Sequence, residues 1–420
     1  MDFKTFDLHP SVAEGIAAAG YETPTPIQIQ AIPYVLGGRD VMGLAQTGTG
    51  KTAAFVLPIL NRLVGRKSGG VRALIIAPTR ELAEQTHHAI ETLGRKTPMR
   101  SVSVYGGVGI NPQIQKLKRA DIVVACPGRL LDHIGRHSID FSHLEVLVMD
   151  EADQMFDMGF IPDVRRILKH LPAKHQTLLF SATMPHEIRR LARDVLRDPA
   201  NVQVGITAPA DTVSHALYPV AQHLKTALLL KLLGNTKTKS VLVFTRTKHR
   251  ARILGKKLVA AGYPSASLQG NLSQTRRQAA LDGFREGKFQ ILVATDIAAR
   301  GIDVTRISHV INYDMPSTPD AYIHRIGRTG RATRSGEAFT LVTGEDKGMV
   351  RAINRIIGFE IEQHTLSNFE YGSAPANRNG GWKRTGKPKR KSFGVNRGRN
   401  KTKSLSKHKT EAGDMAIPVW

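Results

Sequence analysis

Short runs of β-branched and aliphatic residues recur along this chain with helical segments between them, and that alternation restricts the fold more than any other feature. RALIIAPT, SVSVYGG, DIVVACPG, EVLVMDEAD and QTLLFSAT are mostly continuous in apolar residues. Strands of a parallel sheet buried on both faces read this way. Between them, RELAEQTHHAIETLGRK and PDVRRILKHLP carry apolar residues at helical spacing. The pattern breaks around Val204 to His215, then restarts with SVLVFTRT, the helical KHRARILGKKLVAAG, QILVATDIAARG, SHVINYD and EAFTLVT. Two β/α runs joined by a polar segment predict an α/β protein of two tandem doubly wound parallel-sheet domains. The first is expected over residues 1–205, a linker over 206–214 and the second over 215–369.

Charge separates the rest of the chain from this pattern. Sixty Lys and Arg against 35 Asp and Glu give a net charge of +25, which favours a polyanionic partner. From Tyr371 to Trp420 there are 13 basic residues against Glu411 and Asp414, a net +11, leaving +14 for the preceding 370 residues. Residues 370–420 have no apolar periodicity and are expected to be a disordered basic tail, because nothing in them offsets the entropy of ordering. Trp382 and Phe393 would let such a tail stack on bases as a nucleic-acid-binding arm; a solvated tail is the plainer alternative. No run of 18 apolar residues occurs, and MDFKTFDLHP lacks the apolar region of a signal peptide, so a cytoplasmic protein without membrane contact is expected. The single cysteine, Cys126, excludes an intramolecular disulfide and reads as a small buried filler. No heptads suggest a stable oligomer, so a monomer is expected.

AQTGTGKT, Ala45 to Thr52, lies between the strand-like RDVMGLA and the helical KTAAFVLPILNRL. Strand, glycine-rich turn and helix is the context of a phosphate-binding loop, with unpaired N–H groups at the helix N-terminus cradling an anion. Gly48 and Gly50 permit the turn, Lys51 reaches the outer phosphates, and the Thr52 hydroxyl can ligate Mg²⁺. Ala45 adds one methyl at the loop entrance, where the usual pattern has glycine. LVMDEAD ends a buried strand in paired carboxylates about a hundred residues downstream. There Asp150 is the Mg²⁺ partner, largely through water, and Glu151 can orient or deprotonate the attacking water. The pair of motifs predicts a nucleotide hydrolase.

The second run has no such loop, but HRIGRTGR spaces Arg325, Arg328 and Arg331 three apart. Helical residues at that spacing share a face, so two or three guanidiniums are expected to converge on one anion. Across a domain cleft from the phosphates they would act as arginine fingers, and hydrolysis would require the domains to close.

These motifs, in this order, resemble those of the DEAD-box RNA helicases from about Phe3 to Phe369. The resemblance implies two RecA-like domains and an ATP-dependent RNA helicase that opens short duplexes locally by bending one strand. GYETPTPIQ with Gln28 is similar to the adenine-reading Q motif, and Phe3 to its upstream aromatic partner. AQTGTGKT, alanine included, is similar to the family's own phosphate loop, so Ala45, Gln46, Thr47, Gly48, Thr49, Gly50, Lys51 and Thr52 would bind ATP, with Asp303 at the ribose. Ser181, Thr183, Asp153 and His324 would couple nucleotide state to closure, and Arg328 and Arg331 would be the fingers. PTREL, the Gly106–Gly107 pair and PGR match RNA-facing segments, and VFTRT, QTRR, ATDIAARGID and HRIGRTGR follow in the family's order. They put Arg80, Gly107, Arg129, Thr245 and Thr295 along the RNA backbone, which is sequence-blind contact. Cys126 departs from the pattern, since threonine commonly precedes PGR. The compact core and short basic tail resemble those of the bacterial RhlE-like group, which implies work in ribosome assembly, RNA turnover or growth in the cold. Two other readings stay open on the residues: a DNA helicase or translocase, and an ATP-gated RNA clamp.

Overall fold

A strand that is apolar on both faces needs cover on both, and the chain provides it twice. The computed structural model describes residues 2–45, 48–65, 69–204, 213–236, 238, 240–299, 307–330 and 336–371. Met1–Gly372 form one compact unit. Its first lobe holds β1 (Val41–Leu44), β2 (Ala73–Ile76), β3 (Ser101–Val104), β4 (Ile122–Ala125), β5 (Val146–Met149), β6 (Gln176–Ser181) and β7 (Ala200–Gln203). They form a parallel sheet in the order β3-β4-β2-β5-β6-β1-β7. The second lobe holds β8 (Val213–Pro219), β9 (Val241–Phe244), β10 (Ser265–Leu268), β11 (Ile291–Ala294), β12 (His309–Asn312) and β13 (Gly336–Val342). Their order is β10-β11-β9-β12-β13-β8, again parallel.

Alternate residues of each central strand feed cores on opposite faces. Ile75, Val124, Val148 and Phe180 pack with helices Pro26–Leu36, Lys51–Leu63 and Arg80–Leu93. Leu74, Val123, Leu147 and Leu179 pack with Pro127–Gly135, Ile161–Leu168 and His186–Val195. The second sheet repeats the arrangement, with Val241 and Val293 on one face and Leu242 and Leu292 on the other. Gly43 in β1 is required by a ring: a Cβ there would lie 2.5 Å from Phe180, which packs 5.5 Å from Phe55.

Helices begin where the sequence supplies a cap. The hydroxyls of Thr79, Ser273 and Thr318 accept from the N–H groups of Leu82, Arg276 and Ala321. These capped starts follow the carboxyl ends of strands, and that edge of each sheet carries the site.

Three strands were not anticipated: β7, β8 and β10. β8 begins at Val213, inside the segment assigned to the linker, and ahead of the expected domain start at residue 215. Its outer side is covered by a later segment, with Leu217 N–H donating to Glu362 O (2.9 Å) and His364 N–H to Leu217 O (2.8 Å). Residue 205, linker residues 206–212 and tail residues 372–420, with Trp382 and Phe393, lie outside the described residues. Among the described residues no helix is long and apolar enough to cross a membrane.

Candidate functional site

The sheet order divides the first lobe's carboxyl edge into two halves. β5, β6 and β1 are neighbours and end in the acidic, SAT and phosphate-loop segments; β3, β4 and β2 end in the Gly-Gly, PGR and PTREL segments.

At the phosphate-loop end, Ala45 is 5% exposed and packs in the core, so its extra methyl continues β1 rather than crowding the turn. Its N–H donates to Ser181 O (3.0 Å), tying the loop entrance to β6. Gly48 and Gly50 have φ of 88° and 96°, a left-handed backbone that favours glycine. A Cβ on Gly50 would come within 2.6 Å of Gln28 Nε2. Gln28 is fully buried: it donates to Gly50 O (3.1 Å) and accepts from Thr25 N–H (2.9 Å), so the Q-motif residue braces the phosphate loop directly. Gln46 and Thr47 lie outside the described residues. Lys51 opens its helix and is 5% exposed, and among the described residues its Nζ has no hydrogen-bond partner. A buried ammonium group at a helix N-terminus beneath a glycine turn fits the phosphates of ATP. Thr52 follows on the same helix and Asp150 directly follows β5, two hard oxygen donors that suit a Mg²⁺ completing its shell with phosphate and water.

Phe3 differs from the expectation of a stacking face for adenine. It is 6% exposed, its ring turned into contacts with Phe6 (6.1 Å) and Tyr21 (6.2 Å). Tyr21, in the Q segment itself, is the exposed ring at 42%. The sequence signal for it was its place beside the Gln28 turn.

The acidic segment is buried throughout, and burial pushes the Asp150 carboxyl up to about 7 against the opposing pull of Lys51, with Glu151 adding to the rise. Glu151 takes a left-handed φ of 51°, a conformation that strains a residue with a Cβ. Its carboxylate accepts from Gln154 Nε2. Asp153 is a hub. Its Oδ2 accepts from Ala182 N–H (3.1 Å), Thr183 N–H (2.8 Å) and Thr183 Oγ1 (3.0 Å). Its own N–H donates to Ser181 Oγ (3.1 Å), whose hydroxyl donates to Thr183 O (2.7 Å). His324 Nε2 of the second lobe lies 3.6 Å from the same Asp153 oxygen, in ion-pair range. The four residues expected to couple nucleotide state to closure are therefore brought together.

The first-lobe residues expected to face RNA also converge. A Cβ on Gly107 would lie 2.4 Å from Arg80 Nη1, so the guanidinium lies against the glycine. Arg129 Nη1 donates to Val108 O (3.1 Å). Cys126 begins the Pro127–Gly135 helix, and burial pushes its thiol up to about 12, as expected of an inert filler.

Arg80 also donates to Gln274 of the second lobe (3.2 Å), and beside it Arg277 gives two hydrogen bonds to Glu81 Oε1 (2.6 and 2.9 Å). Gln154 shares a cleft with Phe244, Asp296, His324, Arg325 and Arg328.

In the second lobe two residues lie deeper than expected. Arg325 lines the same cleft as Arg328, but its guanidinium is already paired. It is 2% exposed and binds Asp296 through two bonds (2.5 and 2.7 Å), Asn312 Oδ1 (3.1 Å) and Asp314 O (2.7 Å). The helix Pro319–Ile326 stops at Gly327, so Arg328 follows the helix end and lines the cleft. Thr245, expected on RNA, is fully buried, its hydroxyl turned to the carbonyls of Thr247 (3.4 Å) and Ala294 (3.5 Å). Thr295 is half-buried at the end of β11. Asp303 and Arg331 lie outside the described residues.

Comparison with known proteins agrees with this geometry. Residues 25–191 match the DEAD/DEAH box helicase family and residues 224–333 the helicase conserved C-terminal domain. The chain is 44% identical to the DEAD-box ATP-dependent RNA helicase CshA of Bacillus subtilis (strain 168) over 357 residues, 84% of this chain and 72% of that protein. It resembles S. cerevisiae Dbp5 bound to RNA and ADP BeF3 with a TM-score of 0.79 at 32% identity, covering 87% of this chain and 95% of that one. Against a Dbp5 variant bound to Nup159, a Gle1 variant, IP6 and ADP the TM-score is 0.61 at 31% identity, over 86% and 96% of the two chains. The chain therefore belongs to the DEAD-box ATP-dependent RNA helicases.

Proposed function

We propose that this chain hydrolyses ATP when RNA and nucleotide together close its two lobes, and that it uses the cycle to open short RNA duplexes locally. The observation that carries the proposal is the Asp153 hub. One carboxylate beside the hydrolytic Glu151 also holds Thr183 and meets His324 of the other lobe. Any separation of the lobes would break that contact and move Arg328 away from the phosphates. The higher likeness to Dbp5 with RNA and ADP BeF3 than to the Dbp5 variant with ADP and protein partners supports reading this arrangement as the closed one.

In that arrangement Lys51 would bind the outer phosphates and Glu151 would orient the attacking water. Arg328, with Arg331, would meet charge developing on the phosphoryl group. Mg²⁺, held by Thr52 and Asp150, would neutralise phosphate charge. Adenine would be recognised at the Gln28 turn, with Tyr21 offering the exposed ring. Arg80, Gly107 and Arg129 would hold RNA by its backbone, together with Thr295. A monomeric, cytoplasmic role in ribosome assembly or RNA turnover belongs to the same proposal, and sequencing RNA crosslinked to the protein in cells would decide between the two processes.

Steady-state ATP hydrolysis with no polymer, with single-stranded RNA and with the matching DNA tests the core of the proposal. Stimulation by RNA alone is expected. Equal stimulation by DNA would favour a DNA translocase, and rapid hydrolysis with no polymer would contradict gating by closure.

A further inference from the structure

The Gly106–Gly107 turn has no side chain to fix its own shape, and glycine carries the largest backbone freedom of any residue. It is nevertheless held at three points. Arg80 lies against Gly107, and Arg129 binds Val108 O (3.1 Å). The third point is Gln113 on the helix Ile110–Leu117, whose Nε2 donates to Tyr105 O (3.0 Å). Gln113 is 6% exposed, and its Oε1 faces His133 Nε2 at 3.2 Å. His133 is fully buried on the Pro127–Gly135 helix, one turn beyond Arg129, with Nδ1 2.8 Å from Ser138 Oγ. Since the Gln113 amide nitrogen is spent on a carbonyl, its oxygen must accept, which places the His133 proton on Nε2. Burial and the neighbouring Arg129 hold the His133 pKa below its ordinary value and keep the ring neutral.

We propose that Gln113, backed by His133, is a positioning residue for RNA binding. It fixes the Tyr105–Val108 turn and sets the Arg129 helix against it. RNA phosphates then meet a cradle already formed, rather than a glycine turn that must be ordered on binding. The proposal rests on the reading that Arg80, Gly107 and Arg129 contact RNA.

The test is ATP hydrolysis by the full chain as a function of single-stranded uridine oligonucleotide concentration. Gln113→Glu keeps the shape but sets a carboxylate oxygen against Tyr105 O. It should raise the half-stimulating RNA concentration roughly tenfold, as loss of a buried hydrogen bond does, while kcat at saturating RNA stays within about twofold. His133→Gln keeps a nitrogen donor near the Nε2 position and should stay close to the parent. His133→Asn, too short to reach Gln113, should behave like Gln113→Glu. This pair decides the matter even where Gln113→Glu folds poorly. An unchanged half-stimulating concentration in Gln113→Glu, or equal behaviour of the two His133 variants, would overturn the proposal. Arg129→Ala is the reference. If it weakens RNA stimulation and Gln113→Glu does not, the positioning role alone fails; if neither does, the RNA reading of the cradle fails with it.

Discussion

Asp150 faces two opposed demands. To help hold a cation it must be ionised, yet it is 2% exposed, and burial raises its pKa from 3.8 to about 7. A carboxyl whose folded pKa is raised binds its proton more tightly in the folded state. It therefore supports stability fully below about 4 and loses that support as pH rises through about 7. Asp150→Asn removes the titration and keeps an oxygen for the Glu151 N–H (2.9 Å). In nucleotide-free protein its thermal midpoint should gain on the parent steadily between pH 4 and pH 7, and its ATP hydrolysis should be lost. A midpoint difference that stays flat with pH would show that Asp150 titrates normally. Single residues were legible where a motif fixes both identity and neighbours, as for Lys51, Asp150 and Asp153. Phe3, Thr245 and Arg325 lie deeper than their motifs suggest, because partners that the local pattern does not report cover them. Asp296, the partner of Arg325, precedes it by 29 residues, and no helical periodicity reports that it is waiting there.

Elements were legible according to how deeply they are buried. Central strands such as β2, β4, β5, β9 and β11 are buried at every residue and read as continuous apolar runs. The missed strands are all at sheet edges: β7 alternates buried and exposed residues, β10 is mostly half-buried, and β8 is interrupted by exposed Ser214. Half-covered strands need fewer apolar residues, so ANVQ and SASL carry little signal. The Pro319–Ile326 helix shows the same effect on function. Its Arg325 points its donors inward and its successor Arg328 lines the cleft, so the two should separate in experiment. Arg325→Ala strands Asp296 and should cost the protein about 3 kcal/mol in denaturant unfolding. Arg328→Ala should melt closer to the parent, keep nucleotide binding and lower RNA-stimulated hydrolysis by about a thousandfold or more. Equal destabilisation by both, or an unchanged kcat in Arg328→Ala, would reverse these assignments.

For the whole molecule, the two lobes meet at two kinds of contact among the described residues. Asp153 to His324 lies at the end where nucleotide is proposed to bind, and Glu81 to Arg277 with Arg80 to Gln274 lies at the end proposed to bind RNA. Arg277 and Glu81 are both nearly buried by this meeting, so opening the lobes would expose a charged pair and disconnect both ends at once. A ligand that bridges the lobes at either end must then favour the arrangement the other needs, and the coupling is the same in both directions. The most direct measurement is a thermodynamic square: RNA affinity with and without a non-hydrolysable ATP analogue, and analogue affinity with and without RNA, at one salt concentration. Coupled closure predicts two equal ratios, each roughly tenfold or more. Ratios near one would mean that the lobes close independently of their ligands, and would contradict this account.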